Sequence, residues 1–194
     1  YIDPATNVLT DGEAWVGIAS TTLGPTAVNI GFTSTDDGQV GDWSQYMDLV
    51  LVAYLRSDES AAASYQRVMV NSASTVTDGY KDQGLWGTGS AVGAGAVTTT
   101  QGIVGYLPAD NATANIFGCA VTTIFDINSG KYKSMLTQSA ADADGSGHVS
   151  IWATTLLSQA PVTGVYVSLY PTGSAEFVAG CRVDLFGILP RMVA

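Results

Sequence analysis

Tyr46-Met47-Asp48-Leu49-Val50-Leu51-Val52-Ala53-Tyr54-Leu55-Arg56 is the stretch on which the fold turns. Met47, Leu49, Leu51, Ala53 and Leu55 fall on one face of an extended chain, and Tyr46, Asp48, Val50, Val52 and Tyr54 on the other. Successive side chains of a strand point to opposite faces, so this period of two predicts a β-strand with one wholly apolar face. The opposite face mixes an acid and two tyrosines with two valines.

Working outward, the same kind of reading recurs. Residues 65–71 read as the next strand, expected to pair with 46–56 as a hairpin. Residues 57–64 between them hold the only plausible helical turn. Upstream, 14–20 and 26–32 read as strands split by Gly24-Pro25, and 33–43 as a turn-rich loop. Residues 72–100 are glycine-rich, with Leu85, Trp86 and Val92 as their apolar anchors. They read as a long surface excursion with one or two short strands, and loops of that length are often functional.

Residues 101–107 form a strand that stops at Pro108. In 114–127 apolar residues occupy both faces, which predicts a central strand covered on both sides. Residues 132–139, 149–156, 164–170 and 176–189 complete the set, and Phe177, Ala179, Cys181, Val183 and Leu185 form one face of the last. Nine to eleven strands with turn residues between them predict an all-β, antiparallel β-sandwich or barrel. The expected core includes Leu49, Leu51, Phe117, Val121, Ile151, Val167, Val183 and Leu185. Residues 1–12 are polar and contain Pro4, so they read as an N-terminal arm, and 13–194 as one domain.

Bulk properties narrow the function classes. The 194 residues are 46% apolar and 12% charged, with a net charge of −10. A chain this hydrophobic is not a disordered one. Its acidity gives no electrostatic footprint for nucleic acid and repels anionic lipid. No window approaches 18 consecutive apolar residues, so no membrane helix is predicted.

A catalytic set does not emerge. His148 is the only histidine, no GxSxG elbow accompanies it, and it reads as an exposed or edge residue. Asp142, Asp144 and Ser146 start like a calcium loop, but Ala153 stands where the bidentate acid belongs, so a polar turn is the better reading. Asp36, Asp37 and Asp42 form a second, weaker acidic cluster. Asp48, Asp126 and Asp184 lie within strands, and Asp184 shares a face with Arg182, as in a structural ion pair. Cys119 and Cys181 read as two small buried hydrophobes, with a bridge left open. Asn111-Ala112-Thr113 matches a glycosylation sequon, a pattern common by chance. No cofactor and no metal is expected. Among the aromatics, Tyr80 and Trp86 are the best candidates for exposed contact residues.

The C-terminal half carries a resemblance. Its residues are Asn115-Ile116-Phe117-Gly118-Cys119-Ala120-Val121-Thr122-Thr123-Ile124-Phe125-Asp126-Ile127, the turn Asn128-Ser129-Gly130-Lys131-Tyr132-Lys133-Ser134, then Asp144-Gly145-Ser146-Gly147, and the closing Phe177-Val178-Ala179-Gly180-Cys181-Arg182-Val183-Asp184-Leu185-Phe186-Gly187-Ile188. Over roughly residues 44–189 the chain is similar to small virion surface proteins of tailed bacteriophages, the capsid decoration and tail-fibre-like group. The resemblance implies a jelly-roll β-sandwich and a non-enzymatic structural role on the particle surface. The first expectation is a capsid decoration (cement) protein, a homotrimer bound to the major capsid protein or other virion proteins, with Tyr1, Ile2 and Pro4 in a clamping arm. The alternative is a host-recognition module of a tail or head fibre that binds surface glycans through Trp86 and the glycine-rich segment. Neither involves nucleic acid or membrane. A depolymerase would need a visible acid or nucleophile set in a cleft.

Overall fold

The computed structural model describes residues 15–73, 79–142, 147–171 and 175–189. The expected arm residues Tyr1, Ile2 and Pro4, and Asp144 and Ser146 of the calcium-like loop, lie outside the described residues.

The strands are β1 (Trp15–Thr22), β2 (Asn29–Thr33), β3 (Asp48–Leu55), β4 (Ala63–Val70), β5 (Tyr80–Gly87), β6 (Val92–Thr99), β7 (Gly102–Pro108), β8 (Gly118–Phe125), β9 (Lys133–Ala141), β10 (His148–Leu156), β11 (Gly164–Tyr170) and β12 (Arg182–Ile188). Among the described residues a single 3₁₀ turn, Trp43–Gln45, interrupts them. It sits before β3 and not at residues 57–64, because the Asp42 carboxylate accepts from the Ser44 N–H and caps it.

All strand pairs are antiparallel. They form one sheet in the order β1-β12-β3-β8-β9-β10-β5-β6 and a second in the order β2-β11-β4-β7. The block β1-β12-β3-β8 and the small sheet interleave: β1 is followed by β2, β3 by β4, β7 by β8 and β11 by β12, each step crossing between sheets. That interleaving is the eight-stranded jelly roll. The hairpins β5–β6 and β9–β10 are insertions, placed after β4 and after β8, and both extend the large sheet beyond β8.

This topology corrects two expectations. Residues 46–56 and 65–71 do not pair. β3 lies between β12 and β8, whereas β4 lies between β11 and β7 in the other sheet. Residues 72–100 are not a loop excursion with short strands: β5 and β6 pair along eight residues each.

The core lies between the sheets. Leu49, Leu51, Val167, Val183 and Leu185 are buried in it as expected, joined by Trp43, Tyr46, Ile124, Phe177 and Cys181. Phe117 is half-buried at its margin. Val121 and Ile151 are exposed instead, because β8, β9 and β10 turn the other parity inward. Their inner face mixes apolar residues with hydroxyls that bond to one another. The hydroxyls of Thr122 and Thr137 bond at 2.9 Å and those of Ser139 and Ser150 at 2.8 Å. Gly105 of β7 packs straight onto Ser139, where a Cβ would have no room. The strand 114–127 is therefore central in its sheet but covered on one face only.

Candidate functional site

Two surfaces stand out, one on each side of the extended sheet. The first is its outer face. Strand register places Val121, Gln138, Ile151, Leu85 and Ala94 in one row across β8, β9, β10, β5 and β6. The flanking rows contain Cys119, Ala140, Val149, Gly87 and Val92 on one side, and Thr123, Leu136, Ala153, Gln83 and Ala96 on the other. No charged side chain interrupts these three rows. Val92 is 92% exposed, Val149 65% and Leu85 59%.

This is the reverse of an antiparallel sheet with one wet face, where the outward residues are polar. The middle row carries the larger side chains, Val121, Gln138, Ile151 and Leu85, and the row through Cys119, Ala140 and Gly87 the smaller ones. The concavity between Trp86, Val92 and Val149 holds about 1040 Å³. At one side lies β6, an edge strand without a charge or a proline, the two devices that commonly blunt an edge.

The second surface is a cleft of about 400 Å³ beside β7, the edge strand of the small sheet. Tyr65 and Arg67 of β4 are register partners of Tyr106 and Ile103 of β7, so these four share a face. His148 and Trp152 of β10, Trp86 of β5 and Tyr170 at the end of β11 complete the lining. The Trp86 and Trp152 rings stack with centroids 5.7 Å apart and planes 6° apart. Glycine seats them: a Cβ on Gly84 would lie 2.4 Å from the Trp152 ring, and one on Gly93 2.6 Å from the Trp86 ring. Tyr106 packs on His148 at 4.2 Å and donates to the Tyr65 hydroxyl.

Arg67 is only 8% exposed, with its guanidinium carbon 4.9 Å from the Tyr170 ring centre and 5.5 Å from that of Tyr65. Its Nε and Nη1 are buried without a hydrogen-bond partner, as are Nδ1 of His148 and Nε1 of Trp152. Burial pulls the Arg67 guanidinium below its usual value, and the nearby Asp82 carboxylate opposes that pull. Asp82 does not ion-pair with it. Its Oδ1 accepts from the Ile103 N–H at 2.9 Å and the Thr154 hydroxyl at 2.5 Å, and its Oδ2 from the Thr99 hydroxyl.

Of the two expected contact residues, Tyr80 is wholly buried. Its hydroxyl accepts from the Val70 N–H at 2.9 Å, and it belongs to the core. Alternation explains the correction: Tyr80, Asp82 and Gly84 all turn inward along β5. Trp86 is half-buried and lines the cleft. His148 is buried at 9% exposure and begins an interior strand, so it is neither exposed nor at an edge. Cys119 is exposed and Cys181 buried, and both are free thiols. Asp184 pairs with Arg182 at 3.0 Å, as the shared face predicts. Among the described residues no group of three or more His, Cys, Asp or Glu is placed to hold a metal.

Neither the protein-family models nor the curated proteins compared with this chain match it. The site is therefore read from its chemistry. The outer face offers a large uncharged contact area, and the cleft offers stacked aromatic rings around one unpaired cation.

Proposed function

We propose that this chain is a non-enzymatic structural protein of a tailed-phage particle, a capsid decoration protein whose copies join through the outer face of β8-β9-β10-β5-β6. The observation that carries this reading is the charge-free apolar face itself. A soluble monomer rarely leaves an apolar patch of more than a few hundred Å² in water. Five strands at about 4.8 Å spacing and three outward rows give a footprint of roughly 500 Å². With a rim, that approaches the ~800 Å² per partner of a standard interface.

The occupant is another copy of this chain. At a net charge of −10 two copies repel each other over most of their surface, and a charge-free face is where they can meet. Gln138, set among apolar residues in the middle row, carries both donor and acceptor and so can hydrogen-bond to a polar group of the neighbouring copy. A homotrimer bound to the major capsid protein is the assembly the resemblance implies. Contacts repeated over a shell then add as avidity.

The test is a comparison of particles with and without this protein. Particles lacking it should break at lower temperature or under a milder osmotic shock. Equal robustness would remove the decoration role.

A further inference from the structure

We propose that the cleft beside β7 is a binding site for a carboxylate-bearing sugar unit. This does not depend on the assembly of copies, because the cleft opens on the other side of the large sheet from the outer face. Among the described residues, four buried polar atoms without a partner sit on residues that line it: Nε and Nη1 of Arg67, Nδ1 of His148 and Nε1 of Trp152. Buried polar groups are almost always satisfied, so four in one place mark a missing partner.

The chemistry of that partner follows from the lining. Arg67 presents the one cation, and its planar fork matches a carboxylate. Asp82 does not neutralise it at contact, because both its oxygens are taken by Ile103, Thr154 and Thr99. Tyr65, Tyr106, Tyr170 and the stacked indoles supply ring faces, on which the C–H faces of a sugar pack. His148 and the Trp152 N–H can serve sugar hydroxyls. A volume of about 400 Å³ lies at the small end of ligand pockets and suits one or two ring units. Arg56 shows what a purely structural buried arginine looks like in this fold: it donates to the carbonyls of Thr113, Ile116, Asp110 and Ala112.

The test is titration of the full chain with N-acetylneuraminate and with glucuronate, followed by tryptophan fluorescence and calorimetry. Glucose and inorganic sulfate serve as controls. Saturable binding of at least one sugar acid is expected, with glucose and sulfate each at least tenfold weaker. Arg67→Lys should weaken it about tenfold, since a point charge does not replace a stacked planar fork. Arg67→Met, an apolar replacement that keeps the packing, should abolish it, and Trp152→Phe should weaken it while leaving the charge. No saturable signal with either sugar acid would overturn the proposal. So would equal binding of glucose or of sulfate, or unchanged binding in Arg67→Met.

Discussion

The guanidinium of Arg67 lies against the Tyr170 ring, 4.9 Å from its centre, while its Nε and Nη1 meet no acceptor. Arg56 is equally buried but donates to four carbonyls. The two should respond oppositely to the same change. Arg67→Met removes an uncompensated buried charge and should stabilise the fold by about 1–2 kcal/mol. Arg56→Met strands four carbonyls, that of Ala112 buried and the others partly so, and should destabilise it by roughly 3 kcal/mol. Urea midpoints at constant slope measure both. A loss of stability in Arg67→Met would mean that its charge is satisfied within the fold.

His148 sets a pH dependence. Burial lowers its pKa below the ordinary 6.5, so the folded chain binds its proton less readily than the unfolded one. Stability rises with pH wherever the unfolded state holds more protons. The contribution is therefore intact above about pH 6.5 and declines as pH falls from there through the depressed folded-state value. His148→Asn should flatten that segment of the stability curve. The acid loss below about pH 4 should remain, since the carboxylates of Asp37, Asp42 and Asp126 are also held low, mainly by hydrogen bonds. An unchanged slope between pH 5 and 7 in the variant would exclude His148 as its source.

Gly84 and Gly93 are seats for indole rings. Gly84→Ala drives a methyl group into the Trp152 ring and should cost about 2–3 kcal/mol with a shift in tryptophan emission. Gly24→Ala, where a Cβ meets nothing within 4 Å, is the control and should be near neutral. Equal effects at the two positions would show that the rings yield.

These glycines also explain what the sequence conceals. Alternation in 46–56 identified β3 and the inward Leu49, Leu51, Ala53 and Leu55, but not its start: Met47 is exposed and Tyr46 buried, because the strand begins only at Asp48. In β8 and β10 alternation is equally clear but its sign is not. Val121 and Ile151 look like core residues, yet Thr122, Thr154 and Ser150 point inward, since hydroxyl and carboxylate partners await them from β9 and β5. Neighbours in space decide the sign, and one strand carries no record of them. The β5–β6 hairpin was hidden for a related reason: glycine reads as loop, whereas here it clears room for Trp86 and Trp152. The expected pairing of 46–56 with 65–71 failed because successive jelly-roll strands change sheets. For the cleft, the single legible sign was Trp86; Arg67 is unremarkable in its strand until Tyr65 and Tyr170 are placed beside it.

Sedimentation of the intact chain beside Ile151→Lys probes the assembly most directly, since Ile151 is exposed next to Gln138 in the middle row of the outer face and supports no core contact. The native chain should sediment as an oligomer, and the lysine variant as a folded monomer of 20.0 kDa. A monomeric native chain, or an oligomer that the lysine leaves intact, would contradict the account.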